Sequence, residues 1–188
     1  EETQLLGALA LQPALTAATS FILPGTHSKW AVVRDGAVTG FRTLMTGELY
    51  ALLQRHSILG GNTATGEDAE AFARGVATAR DSGAAGALSR LFSARALMLD
   101  GALAPDAVPD YLSGLLIGEE FRAALADGLA RRDAPLQLIG EPALCERYRR
   151  AATLFDIDLP PPLQDAAAHG LWRIAAQAGI VSMETLAC

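Results

Sequence analysis

A chain of 188 residues that is 51% hydrophobic and 19% charged is long and apolar enough to build one compact core. Its formal net charge of −6 argues against a general nucleic-acid binder, because no Lys/Arg stripe is available to neutralise a phosphate backbone. No apolar run approaches the ~20 residues needed to span a bilayer, and Cys145 and Cys188 lack metal-ligand spacing, so both are read as reduced thiols of a cytoplasmic protein.

The predicted elements begin at once. Leu5, Leu6, Ala8 and Leu9 give a helical pattern over residues 2–11 that starts without an initiator Met or a basic leader. A packed helix at the first residue is the expectation for a piece of a longer protein. Phe21-Ile22-Leu23 reads as a short buried strand, and residues 30–33 and 38–43 as two more. These last two are joined at Asp35-Gly36, where a type I′ turn needs positive φ at both central residues. An antiparallel meander follows, with a loop over residues 25–29 at one end.

Thr46 is expected to cap a helix whose face is Leu49, Leu52 and Leu53, with Glu48 in its first turn and His56 as a buried histidine continuing the face. Residues 58–66 form a Gly/Thr/Asn-rich loop. Three helical stripes follow: Phe72, Val76 and Ala79; Leu88, Leu91 and Phe92; then Leu112, Leu115, Leu116, Phe121 and Leu125 within residues 109–132. All are read as core. Residues 136–139 form a strand ended by Gly140, and Pro142 opens a helix reaching Leu154. A short apolar segment at 157–159 leads into three prolines, and a helix over 164–177 carries Gly170 inside it.

The segment LPGTHSKW, residues 23–30, has the composition of a phosphate-holding β-turn-β. A glycine permits close approach of the backbone to an anion, successive N–H groups can face its oxygens, and hydroxyls and a lysine complete the cradle. A polar hairpin turn is the alternative, since the G-x-x-x-x-G-K-[ST] loop is not matched and no helix follows directly.

The order of elements resembles the C-terminal lobe of the superfamily of sugar kinases, actin and heat-shock ATPases. Within it the chain is similar to one family, 2-dehydro-3-deoxygalactonokinase, through EETQLLGA at 1–8, LPGTHSKW, FRTLMTGEL at 41–49, HSILG at 56–60 and LSGLLIG at 112–118. The resemblance covers essentially the whole chain. It implies an α/β, ribonuclease H-like (actin-like ATPase) lobe, with a mixed sheet, antiparallel β1-β2-β3, a last strand and flanking helices. It also implies transfer of the γ-phosphoryl group of ATP, with Mg²⁺, to the terminal hydroxyl of 2-dehydro-3-deoxy-D-galactonate, a step of galactonate and galactose catabolism. Residues 1–188 would be the C-terminal nucleotide-binding lobe. The N-terminal lobe of the same protein, with its Asp-Trp-Gly-type loop, would be the partner, and the isolated chain would be inactive.

The resemblance further implies roles for individual residues. Gly25, Thr26, Ser28 and Lys29 would hold the nucleotide's phosphates, with His27 bonding the turn or taking part directly. Glu1 or Glu2 would be the carboxylate that accepts or orients the sugar hydroxyl, although an acidic first turn also suits a helix dipole. Gly140 matches the first glycine of the adenosine motif, whose second glycine is Glu141 here. Neither nucleic acid nor membrane is an expected partner, no metal ligand is named, and a homo-oligomer is compatible with the sequence. A non-catalytic sugar or nucleotide sensor on the same fold is the alternative function, and a helical interaction domain with a merely polar hairpin turn is a third reading.

Overall fold

The computed structural model describes residues 1–60, 67–132 and 134–181. Helix α1 (Glu2–Leu11) leads through a 3-10 turn into β1 (Ala18–Leu23), β2 (Ser28–Arg34) and β3 (Ala37–Leu44). Helices α2 (Thr46–His56), α3 (Ala69–Arg80), α4 (Ser93–Leu99) and α5 (Val108–Ala126) follow, then β4 (Leu136–Leu138), α6 (Pro142–Thr153) and α7 (Ala166–Gln177). The sheet runs β3-β2-β1-β4. The meander is antiparallel, with Phe21 opposite Ala31 and Trp30 opposite Arg42, and β4 joins β1 in parallel.

The meander forms where local chemistry dictates. Asp35 and Gly36 have φ of 50° and 74°, the two positive values that a type I′ hairpin requires. Both faces of β1 are covered, which explains why five of its six residues are buried. Ile22 joins Trp30, Leu136 and Leu138 under α5 and α6, where Phe121 and Tyr148 pack. Phe21 and Leu23 point the other way, to Leu5 and Ala8 of α1 and Ala166 of α7. Phe121 sits at the aromatic centre, 5.4 Å from Trp30 edge-on and 5.6 Å from the Phe155 ring. Gly170 packs on α1, not the sheet: a Cβ there would meet the Thr3 carbonyl oxygen at 1.8 Å.

Several sequence expectations are revised by the structure. Thr46 is the first helical residue of α2, and the N-cap position belongs to Met45 without a side-chain bond. Leu52 and His56 are exposed, so that face is only partly core. Leu88 and Phe92 are 64% and 62% exposed because their segment breaks into 3-10 turns around Gly83 and Gly86, both at positive φ. Residues 157–159 add no strand. The prolines at 160–162 have no N–H for a ladder, and pairing along β4 continues only where the Leu163 N–H donates to the Leu138 carbonyl at 2.9 Å. Ile157 and Leu159 are buried in the core all the same. Residues 61–66 of the predicted loop, and Cys188, lie outside the described residues.

Candidate functional site

The β1–β2 loop is seated on the N-terminus of α2. A Cβ at Gly47 would lie 2.6 Å from the Gly25 carbonyl oxygen and 2.8 Å from the Thr26 Cα, so only glycine lets helix and loop approach this closely. The Glu48 N–H donates to the Thr26 carbonyl at 2.9 Å. His27 Nε2 lies 2.5 Å from Glu48 Oε2. LPGTHSKW and MTGEL are therefore one structural unit, with the loop's far side open: nothing stands within 4 Å of a Cβ built on Gly25.

Two cavities share this loop. The larger, about 550 Å³, lies between Gly25 and Thr26 on one side and Tyr50, Ser113 and Arg147 on the other. Arg147 is locked in that wall. Its Nη2 donates to Asp110 Oδ1 at 2.7 Å, its Nε to Ser113 Oγ at 3.2 Å, and its guanidinium lies 4.6 Å over the Phe72 ring. The smaller cavity, about 260 Å³, is lined by Glu1, His27, Lys29 and Gly140. There Lys29 Nζ sits 2.5 Å from Glu1 Oε1, and this hydrogen bond holds the Glu1 carboxyl below the ordinary carboxylate range. Glu2, with its side chain 90% exposed, is outside both linings.

Beneath the larger cavity lies a buried carboxylate. Glu120, 1% exposed, accepts from Ser28 Oγ at 2.8 Å, Trp30 Nε1 at 2.9 Å and the Tyr148 hydroxyl at 2.6 Å. The Thr46 hydroxyl is a fourth donor. Burial raises the Glu120 pKa in spite of them, and burial with the neighbouring carboxylate raises that of Tyr148.

The model of the 2-keto-3-deoxy-galactonokinases matches residues 1–174. The chain belongs to this family. Over 179 residues it is 37% identical to the 2-dehydro-3-deoxygalactonokinase of Escherichia coli K12, covering 95% of this chain and 59% of that protein. It is 43% identical over 159 residues to a protein of Rhizobium meliloti named a probable 2-dehydro-3-deoxygalactonokinase, covering 80% and 49%. A crystal structure from Sinorhizobium meliloti, titled as a candidate 2-dehydro-3-deoxygalactonokinase, superposes with a TM-score of 0.84 at 34% identity, over 96% of this chain and 60% of that one. The chain thus spans roughly half to three-fifths of the length of these family members.

The residues singled out in the sequence are placed in four different settings. Gly25, Thr26, His27 and Lys29 surround the loop, and Glu1 joins them through Lys29. Ser28 opens β2 with its side chain fully buried against Glu120, so its hydroxyl faces the interior and not the loop's open side. Glu141 serves as the N-cap of α6, accepting from the Ala143 and Leu144 N–H groups at 2.9 and 2.8 Å, which lowers its pKa. Gly140 fits tightly between Cys145 and Pro24, 3.3 and 3.5 Å from a built Cβ. Cys145 itself is a buried thiol whose pKa is pushed up to about 11, which makes it a poor nucleophile.

Glu120 escaped the sequence reading, as did Arg147. The signal for Glu120 was present: it falls on the same helical face as Ile117, Phe121 and Ala124, where a carboxylate has no reason to be unless donors meet it. Among the described residues, no group of three or more His, Cys, Asp or Glu side chains could hold a metal ion. The donor set here does not form a dedicated Mg²⁺ cage.

Proposed function

We propose that this chain is the nucleotide-binding half of a two-lobe kinase with a ribonuclease H-like core, which phosphorylates 2-dehydro-3-deoxy-D-galactonate on its terminal hydroxyl with ATP as donor. The observation that carries the reading is the pair of cavities on either side of the Gly25–Thr26 backbone. A nucleoside fits the larger one, against Tyr50 and the Arg147 wall. Its phosphates then cross the loop toward Lys29, and the acceptor hydroxyl arrives at the smaller one, beside Glu1.

The chemistry asked of the protein is positioning and charge stabilisation, because the phosphoryl group passes through a loose transition state. ATP is delivered as its Mg²⁺ complex, which suits an ion that usually binds through substrate phosphates and one or two carboxylates. Backbone amides of the loop and the Lys29 ammonium attract the phosphate oxygens. Glu1, ionised at neutral pH as an exposed carboxylate is, orients the sugar hydroxyl and accepts its proton as the oxygen attacks the γ-phosphorus and the bond to ADP breaks. Ser28 contributes through Glu120, and Glu141 by starting α6 at the cavity edge. The second lobe supplies the remaining sugar contacts and closes the cleft against water.

The test is a coupled assay of ADP release with 2-dehydro-3-deoxygalactonate, Mg²⁺ and ATP. The 188-residue chain should bind ADP but not turn over. The same chain joined to the N-terminal part of a family member should do both. ATP binding without phosphorylation of any 2-keto-3-deoxy sugar acid by the joined protein would overturn the proposal.

A further inference from the structure

Glu120 enters the proposed reaction only as the partner of Ser28, yet it is the most deeply buried carboxylate among the described residues, at 1% exposure. Its donors come from the parts of the chain that border the larger cavity. Ser28 and Trp30 belong to β2, just beyond the Gly25–Thr26 loop, Thr46 to the first turn of α2 and Tyr148 to α6. Thr46 and Tyr148 line the cavity themselves. An apolar side chain at this position could fill the same space, but it would not dictate which groups meet. A carboxylate does, because every donor left unpaired in the interior carries a desolvation penalty.

The four donors thus join the sheet side of the cleft, which carries the loop, to the helical side, which carries Tyr50, Ser113 and Arg147. We propose that Glu120 is a positioning residue that sets the spacing between the phosphate loop and the nucleoside wall. It touches no ligand. Its effect is on any molecule that must grip both walls at once, and the inference rests on the nucleotide reading of the cavity. A ligand held by one wall alone, such as adenosine, is indifferent to that spacing. ADP, which spans both, is not.

The experiment compares ADP and adenosine binding to the full chain and to Glu120→Gln by calorimetry, with thermal unfolding followed alongside. Glutamine keeps the shape but places an amide N–H₂ where a donor already points. ADP affinity should fall by about tenfold or more, the equivalent of losing one hydrogen bond to a charged group, while adenosine affinity stays within roughly twofold. Equal losses for both ligands would mean a merely structural role and overturn the proposal, and so would unchanged ADP binding. If the unsubstituted chain binds neither ligand, the nucleotide reading falls first and this inference with it, an outcome visible before any variant is made. Should Glu120→Gln fail to fold, Trp30→Phe removes one N–H donor from the same network at a residue outside both cavity linings, and must show the same ADP-selective loss. Where both variants fold, their effects on ADP binding should be non-additive, as for groups in one network.

Discussion

Two carboxylates, each meeting a hydrogen-bond donor from β2, are used in opposite ways. Glu1 meets Lys29 at the cleft surface, with side chains 41% and 17% exposed. Glu120 meets Ser28, Trp30, Thr46 and Tyr148 in the interior. A surface ion pair contributes about 0–1 kcal/mol, so under the proposed function Lys29 exchanges its partner for a phosphate at little expense. The interior cluster cannot exchange anything, because each freed donor would be stranded away from water. The weakly held pair suits chemistry and the strongly held one suits geometry.

The largest effect expected from breaking this contrast is on the buried side. Glu120→Ala strands several donors at about 1–3 kcal/mol each, so unfolding in denaturant should show a loss on the order of 4 kcal/mol. A loss under about 1 kcal/mol would mean that water enters and satisfies the cluster. On the surface side, Glu1→Gln in the joined two-lobe protein should leave stability nearly unchanged but reduce turnover by ~10²–10⁴-fold. Glu2→Gln should alter turnover little. Near-normal turnover in Glu1→Gln would move the base to the second lobe.

Lys29→Ala should cost about 1.5–3 kcal/mol of ADP and ATP binding, the value of one charge-assisted contact, and much less for AMP. Equal weakening of all three nucleotides would contradict a phosphate role. Gly47→Ala tests the seat of the loop: its Cβ collides with backbone atoms of Gly25 and Thr26, and overpacking of this kind costs about 1–3 kcal/mol. Circular dichroism melts should report that loss.

The smallest effect is in the pH dependence, where the two carboxylates have opposite signs. The folded pKa of Glu1 is lowered by Lys29, so its contribution is present above the ordinary carboxylate pKa and is lost as pH falls through the lowered value. Its half-exposed setting keeps that contribution below about 1 kcal/mol. The folded pKa of Glu120 is raised by burial, so the folded state holds its proton longer than the unfolded chain does, and stability declines as pH rises from the ordinary value through the raised one. Stability curves of Lys29→Ala and Glu120→Gln against the unsubstituted chain should therefore diverge in opposite pH directions. Parallel curves would show that neither carboxylate governs the dependence.

Features decided within a few residues were legible from the sequence. The Asp35-Gly36 turn, Pro142 at the start of α6 and the α1 pattern each depend on local φ preference, the missing proline N–H or helical periodicity. The same local logic misread Leu88 and Phe92, because positive φ at Gly83 and Gly86 breaks the helix their spacing suggested. It also misread His56, whose helical face runs past the end of the packed core into solvent.

The site divides along the same line. Composition and order marked the Gly25–Lys29 stretch as either an anion loop or a polar hairpin turn, since glycine, hydroxyl and lysine chemistry is carried by the residues themselves. That Ser28 turns inward while Lys29 turns out toward Glu1 follows from the alternation of β2 once its register with β1 is set. The convergence of Ser28, Trp30, Thr46 and Tyr148 on Glu120 joins residues up to 120 apart in the chain. No local preference encodes that meeting. It exists because β4 pairs in parallel with β1 and draws α6 back over the sheet, and only the packed fold excludes the water that would otherwise satisfy each group separately.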